Sequence, residues 1–542
     1  MLTDRVLLQG HSLRLGLADK SVHAICTSPP YLAHREYLVP PRAWPPVPNF
    51  CPMPGLDRFD IHGCDPECEH EWGDVGKLHL RGPRKEGDLQ PDRGRVMDVS
   101  TGRFCQKCWG WSGHLGQEPS PQMYIAHLVA ISREFWRVLR DDGIYWLNLG
   151  DTYAANRSHQ VSQTNVRSMS SDIARNVPPG LKEKDLVGVP WRAAFALQAD
   201  GWYLRICNIW AKGRDGDVGD DGYGSAMPMS RTDAPTLTHE QVLMLTKRPQ
   251  YHYDEQAVRA HWIDWSEKNP EKRNRSHDLR SVWIIPPEPY SGSHFASFPT
   301  GLPELCLRAS LSKRGVCPEC GTPWERVVEK RGPTTREMLD QRGAAPYSEG
   351  QPKRGQALNF VGYRQGDIRQ AQTAGWVPGC GCYGHPERGP VPCTKCGGTG
   401  KGMKYLRGGQ DWTSGTAKDG QPQRDSRGGL SNVPPVETGE PCPKCGGEGV
   451  IEGDIWPDNI DEWPVAPSIV LDPFAGTART GAAARRVKGP ISFVGVDLSE
   501  EYLQEHAAKT LNLKKAEMGK EGGIQTDPEE DGLSSLPLFA GI

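Results

Sequence analysis

The chain lacks any apolar run near the roughly 18 residues of a membrane span. Its N-terminus has no signal-peptide pattern, so no membrane partner and a cytoplasmic setting, in a bacterial or phage-infected cell, are expected. No Gly-x-x-x-x-Gly-Lys-Ser/Thr phosphate loop occurs, which excludes an ATP-driven motor of that type. Charge of one sign is lacking too, with 64 Lys and Arg against 67 Asp and Glu and a formal net charge of -3. A nucleic-acid partner would therefore have to be met by local basic patches. The 542 residues are enough for about two to four domains.

Cysteine, glycine and proline are plentiful, at 16, 62 and 47 residues. Without an export signal, the cysteines argue for metal binding rather than disulfides. Twelve fall into close pairs: Cys64/Cys68, Cys105/Cys108, Cys317/Cys320, Cys380/Cys382, Cys393/Cys396 and Cys442/Cys445. Structural zinc, in two or three thiolate sites, is the reading that fits this spacing. His70 and His385 are possible substitute ligands, each read here as a surface histidine.

Regular pattern comes in blocks. Residues 1–31 begin an α/β core, with apolar runs at Val6-Leu7-Leu8 and Val22 to Cys26 that suit buried strands. Residues 32–120 form a loop-rich insertion with the first four paired cysteines. The core resumes over 121–316. A helix is expected from Pro121 to Leu139, ended by Asp142-Gly143, with a strand over 144–149. A second helix and strand follow over 190–197 and 203–210, then a polar, mobile loop over 212–236. Its Asp215 to Gly222 run lacks the acid a calcium loop needs at its twelfth position, Ala226. Residues 241–245 and 251–253 read as a strand pair near a sheet edge. Residues 317–450 are a second insertion with eight paired cysteines, 465–513 a final α/β unit, and 514–542 a polar tail expected to be disordered. The alternation implies an α/β fold with a doubly wound, mainly parallel sheet.

Two loops carry the chemistry. Asp472-Pro473-Phe474-Ala475-Gly476 leaves a strand at Ile469-Val470-Leu471, and Asp497 ends the next strand 21 positions after Gly476. That spacing suits an acid on a nucleoside ribose, with the glycine turn letting the ligand approach the backbone. Ser28-Pro29-Pro30-Tyr31 leaves the strand at 22–26. A base's exocyclic amine is a poor nucleophile because its lone pair is conjugated with the ring. Hydrogen bonds from its N–H groups to Ser28 Oγ and the Pro29 carbonyl would favour a pyramidal nitrogen. Two prolines hold these acceptors ready, and Tyr31 offers a ring for a base swung out of its stack.

These motifs, with Arg137 to Gly143 and His294 to Pro299, resemble the amino-methyltransferase family of DNA modification enzymes in its permuted β-class order. The resemblance covers 1–31, 121–316 and 465–513. It implies a Rossmann-like sheet in circularly permuted order. It also implies methyl transfer from S-adenosyl-L-methionine to a flipped base of double-stranded DNA, in modification or protection from a cognate restriction nuclease. By the same resemblance Asp472, Phe474, Ala475, Gly476 and Thr477 border the cofactor, and Asp497 holds its ribose. Phe298 and Pro299 pack around its methionine end. Where relatives carry Gly-Asp-Ser, with the acid on the cofactor's adenine amine, this chain has Gly10-His11-Ser12, and a neutral His11 can accept one hydrogen bond there. Ser-Pro-Pro-Tyr is commoner among cytosine-N4 enzymes, so cytosine-N4 is expected and adenine-N6 is the alternative. A zinc-module interaction protein on a decayed methylase scaffold, or an RNA or protein substrate, are further readings.

Cys393-Thr-Lys-Cys396-Gly-Gly and Cys442-Pro-Lys-Cys445-Gly-Gly resemble the zinc repeat of DnaJ-type chaperones, in which two knuckles complete one four-thiolate site. Cys317/Cys320 with Cys380/Cys382, and Cys64/Cys68 with Cys105/Cys108, would form the others. The tail segment Leu533 to Phe539 resembles peptides that dock into the sliding clamp.

Overall fold

The computed structural model describes residues 2–32, 41–74, 77–81, 96–100, 102–154, 180–213 except 183, 234–263, 279–288, 298–331, 370–392 except 385, 401–404, 436–441, and 448–513 except 449 and 458. Residues 214–233 of the polar loop, its Asp215 to Gly222 run, His385 and the tail from 514 lie outside them. So do Cys393, Cys396, Cys442 and Cys445.

The apolar runs become the strands of one eight-stranded sheet. In chain order these are β1 (Leu2–Gln9), β2 (Val22–Thr27), β3 (Leu139–Leu149), β4 (Tyr203–Ala211), β5 (His239–Thr246), β6 (Val282–Ile284), β7 (Ser468–Asp472) and β8 (Ile491–Asp497). Their spatial order is β1-β8-β7-β2-β3-β5-β4-β6, and every pairing is parallel except the two made by β5. The sheet is mainly parallel, as expected. The last two strands in sequence lie between the first two, which is the permuted order in structural form.

Side chains alternate across the sheet, as a period of two requires. Tyr145, Leu147 and Leu149 enter one buried cluster, and Ile144 and Trp146 the other. Helix α1 (Pro121–Val138) and helix α2 (Val189–Ala199) bury their apolar faces in the first cluster. Helix α4 (Gly301–Ser310) and the short α5 (Arg479–Ala484) bury theirs in the second, where Val258 of α3 (Glu255–Ile263) also packs. Ser120 starts α1 by accepting the Met123 N–H at 3.2 Å, with Pro121 in the first turn where no N–H is needed.

Two expectations differ from the structure, and the first insertion adds to the core. Asp142-Gly143 does not stop a helix; α1 ends at Val138, and the pair sits in a register shift of β3. Gly143 passes so close to β2 that a Cβ there would lie 2.8 Å from the His23 carbonyl oxygen. Residues 241–245 are not at an edge: β5 lies between β3 and β4, while 251–253 are not a strand. The 32–120 segment does not stand apart from the core. Trp44, Val47, Phe50, Trp111 and Leu115 join the first cluster, adding bulky side chains that the core then needs.

The chain divides into Met1–Trp324 with Val465–Ile542, and a second unit, Glu325–Pro464. The second unit consists of antiparallel ladders pairing Glu325–Arg331 with Gln370–Val377, Glu387–Pro392 with Val450–Ile455, and Lys401–Lys404 with Val436–Pro441. Pro392 faces Val450 and Lys401 faces Pro441, so the strands flanking the two Cys-x-x-Cys-Gly-Gly stretches are partners. Cys317 and Cys320 belong to the first unit, and Cys380 and Cys382 to the second. Among the described residues, no helix is long and apolar enough to cross a membrane.

Candidate active site

Strands β2 and β7 are neighbours, so the loops leaving their carboxyl ends are adjacent. A fully buried hydrogen bond ties them: Thr27 Oγ1 donates to Asp472 Oδ1 at 2.6 Å. Asp472 also accepts from Thr480 Oγ1 at 2.7 Å and from the Phe474 N–H at 3.3 Å. Burial pushes its carboxyl up to about 6, opposed by those donors. With its oxygens so engaged and 1% exposure, Asp472 clamps the two loops.

Beyond that clamp, Ser28 Oγ donates to Tyr31 Oη at 3.0 Å, and Tyr31 Oη donates to Glu240 Oε2 at 2.7 Å. Asn148 Nδ2 reaches both Tyr31 Oη and Glu240 Oε2 at 2.8 Å, and Lys212 pairs with the other Glu240 oxygen. Burial, then the Glu240 charge, holds the Tyr31 phenol well above its ordinary range, so it stays a neutral donor. With its proton directed at Tyr31, Ser28 Oγ keeps lone pairs for another donor. A chain of bonds ending on a carboxylate strengthens each acceptor along it. Tyr124 donates to the Pro30 carbonyl at 2.8 Å, and Gly150 lies where a Cβ would come 2.7 Å from the Tyr31 ring. The loop is thus fixed from several sides. Asn148, Glu240 and Lys212 escaped the sequence reading. A polar Asn148 in the apolar run 144–149 was the one signal available, whereas Glu240 and Lys212 gave none.

The segments assigned to the cofactor also meet. The Gly10 N–H donates to the Asp497 carbonyl at 3.0 Å, and Ser12 Oγ donates to the Pro473 carbonyl at 2.7 Å. Asp497 Oδ2 accepts the Gly476 N–H and Oδ1 the Ser499 N–H, both at 2.9 Å. Burial raises the Asp497 carboxyl, while these N–H groups oppose the shift. Gly476 adopts φ +48°, a left-handed turn suited to glycine. Thr300 and Arg479 both bond Glu288 Oε2 at 2.8 Å, which joins the Phe298-Pro299 stretch to the glycine loop. His11, Ser28, Pro30, Tyr31, Phe298, Phe474, Gly476 and Asp497 stay partly open. Pro29, Pro299, Ala475 and Thr477 are buried and support them.

The expected role of His11 as an acceptor is reversed. Its Nδ1 already accepts the Leu13 N–H at 3.0 Å. Burial, then the Arg42 charge, lowers its pKa to about 4. The neutral ring therefore carries its proton on Nε2 and offers a donor. The first cysteine group changes too. The ligand atoms of Cys68, His70, Cys105 and Cys108 lie within 4.8 Å of one another, with His70 in the place expected of Cys64.

The Type II methyltransferase M.Cfr9I of Citrobacter freundii is 41% identical over 203 residues, covering 37% of this chain and 61% of that protein. M.SmaI of Serratia marcescens is 40% identical over 208 residues, covering 38% of this chain and 65% of that one. The chain thus spans less than two thirds of either relative's length. The solved PvuII DNA methyltransferase (cytosine-N4-specific) aligns at 10% identity with a TM-score of 0.37, covering 95% of this chain and 88% of that one. A family model described as DNA methylase matches residues 22–317, more than half of the 542 residues and inclusive of the Ser28 to Tyr31 loop, and the chain belongs to that family.

Proposed function

We propose that the chain is an S-adenosyl-L-methionine-dependent DNA methyltransferase acting on the exocyclic amine of a flipped base, with cytosine-N4 favoured over adenine-N6. The observation that carries this is the adjacency of the Ser28-Pro29-Pro30-Tyr31 loop to the Asp472–Gly476 loop, clamped through Thr27 and Asp472. The cofactor, when bound, supplies an electrophilic methyl group. Its ribose hydroxyls suit the partly open Asp497 carboxylate, and an acceptor on its adenine edge suits His11 Nε2–H. Phe474 and Phe298 would line the remainder, with Pro299 buried behind them. Ser28 Oγ and the Pro29 carbonyl would accept hydrogen bonds from the amine's N–H groups and free its lone pair. Tyr31, Asn148, Glu240 and Lys212 hold Ser28 for that purpose.

Double-stranded DNA is then the substrate, and a role in restriction-modification, with a cognate nuclease, is supported by the Type II methyltransferases it resembles. The cysteine pairs support structural zinc in the insertions. The core boundaries 1–31, 121–316 and 465–513 are part of this reading, supported by the strands that fall within them. Labelled methyl incorporation into DNA, RNA and protein, run side by side, tests the activity. Label in DNA alone is expected, and none in DNA would overturn the proposal. Base-resolved sequencing of DNA from cells expressing the chain decides the base. N6-methyladenine without N4-methylcytosine would replace the favoured assignment by its alternative.

A further inference from the structure

Twelve paired cysteines suggest zinc in general terms, but the first insertion permits a specific assignment. Cys68 Sγ lies 3.9 Å from Cys105 Sγ, and Cys108 Sγ lies 3.5 Å from His70 Nδ1. A disulfide would need sulfurs about 2.05 Å apart. In a tetrahedron with Zn–S near 2.3 Å and Zn–N near 2.05 Å, however, the S–S edge is about 3.8 Å and the S–N edge about 3.5 Å. These two separations match those edges, and all four ligand atoms lie within 4.8 Å of one another. Thiolate and imidazole donors select zinc over hard cations such as magnesium or calcium.

The surroundings are built for ligation. Cys105 Sγ accepts the N–H groups of Lys107 at 3.4 Å and Cys108 at 3.5 Å, bonds that stabilise a thiolate. The turn closes through Trp109 N–H to the Cys105 carbonyl at 3.0 Å, with Trp109 in the left-handed region at φ 57°. Backbone bonds join the two ligand arms: Gln106 N–H to the Glu71 carbonyl at 2.7 Å, and Gly73 N–H to the Phe104 carbonyl at 2.9 Å. The His70 ring rests on Trp72 with centroids 4.8 Å apart, and the Arg103 guanidinium lies over that indole at 5.3 Å. The imidazole is thereby held by ring contacts with its neighbours.

Cys64, the expected fourth thiolate, is otherwise occupied. Its Sγ donates to the Trp111 carbonyl at 3.3 Å, and its N–H bonds the Trp44 carbonyl at 2.7 Å. The Gly110 backbone lies so near that a Cβ there would sit 2.4 Å from the Cys64 Cα. We infer that Cys68, His70, Cys105 and Cys108 form a closed four-coordinate zinc site, and that Cys64 is a core residue and not a ligand. Four protein ligands leave no open position, so the ion is structural. It pins the base of the hairpin that pairs Lys77–Arg81 with Val96–Ser100. The assignment is independent of the methyl-transfer reading.

The test uses full-length protein purified without chelator, with zinc counted by elemental analysis. Cys64→Ser should keep the wild-type count, while His70→Ala and Cys108→Ser should each lose one equivalent. His70→Cys guards against misfolding, because it replaces one competent ligand with another. After exchange of zinc for cobalt(II), it should keep the wild-type metal count and gain the charge-transfer intensity of one additional thiolate. Loss of an equivalent from Cys64→Ser with none from His70→Ala would overturn the assignment. So would an unaltered charge-transfer band in cobalt-loaded His70→Cys, or an unchanged zinc count in every variant.

Discussion

Glu240 is the anchor of the Ser28 loop, since three donors converge on its carboxylate and one of them is Tyr31. Glu240→Gln should slow methyl transfer about 10- to 100-fold, the effect of losing a charge-assisted bond of about 1.5–3 kcal/mol. Ser28→Ala should slow it more, by about 10²–10³-fold, because it removes an acceptor for the reacting amine itself. Single-turnover methylation measures both, and calorimetry should find cofactor affinity nearly unchanged in each. Asp497→Ala should behave oppositely, weakening cofactor binding by about 10- to 100-fold through loss of a charged acceptor. An unchanged dissociation constant would move the ribose elsewhere. At this scale the sequence revealed residues whose neighbours form a motif, such as Ser28, Tyr31 and Asp497. It concealed Glu240 and Lys212, which act through partners distant in sequence. His70 was legible only as a possible substitute ligand, because spacing pairs Cys64 with Cys68, whereas Cys64 packs against Gly110 and Trp111.

His23 shows how an element can be held by one side chain. It lies on β2, its Nδ1 accepts the Ile469 N–H of β7, and its Nε2 donates to the Gly321 carbonyl, both at 2.9 Å. Burial, then the Arg140 charge, lowers its pKa to about 4 from 6.5. A depressed folded-state pKa gives stability that is complete above the unfolded value and lost as pH falls. The loss should therefore run from about pH 6.5 down through 4 and approach about 3 kcal/mol. Urea unfolding across that window should show a shallower acid limb in His23→Gln than in wild type, and equal slopes would refute the assignment. Strands with strict apolar runs, β2, β3, β7 and β8, were legible because burial on both faces leaves few alternatives. The central place of β5 was not, because antiparallel insertion between β3 and β4 depends on pairing partners that no local pattern records.

The order of the sheet makes the whole molecule depend on its last strands. β7 and β8 fill the space between β1 and β2, and the Thr27–Asp472 bond joins residues 445 positions apart. During synthesis at about 5–20 residues per second, β2 therefore waits roughly 20–90 seconds for its neighbour. Until then one side of β2 presents unpaired backbone groups, a template for pairing with another chain. A version ending at residue 464 should accumulate as aggregate or in complex with chaperones. Supplying residues 465–542 as a separate chain should recover soluble material, measured by co-expression and fractionation. Had the chain been cut at another point of the same circle, the sheet would close early and the wait would vanish. The permuted order thus turns a matter of topology into one of timing, and slower translation past the second insertion should lower the yield of folded protein.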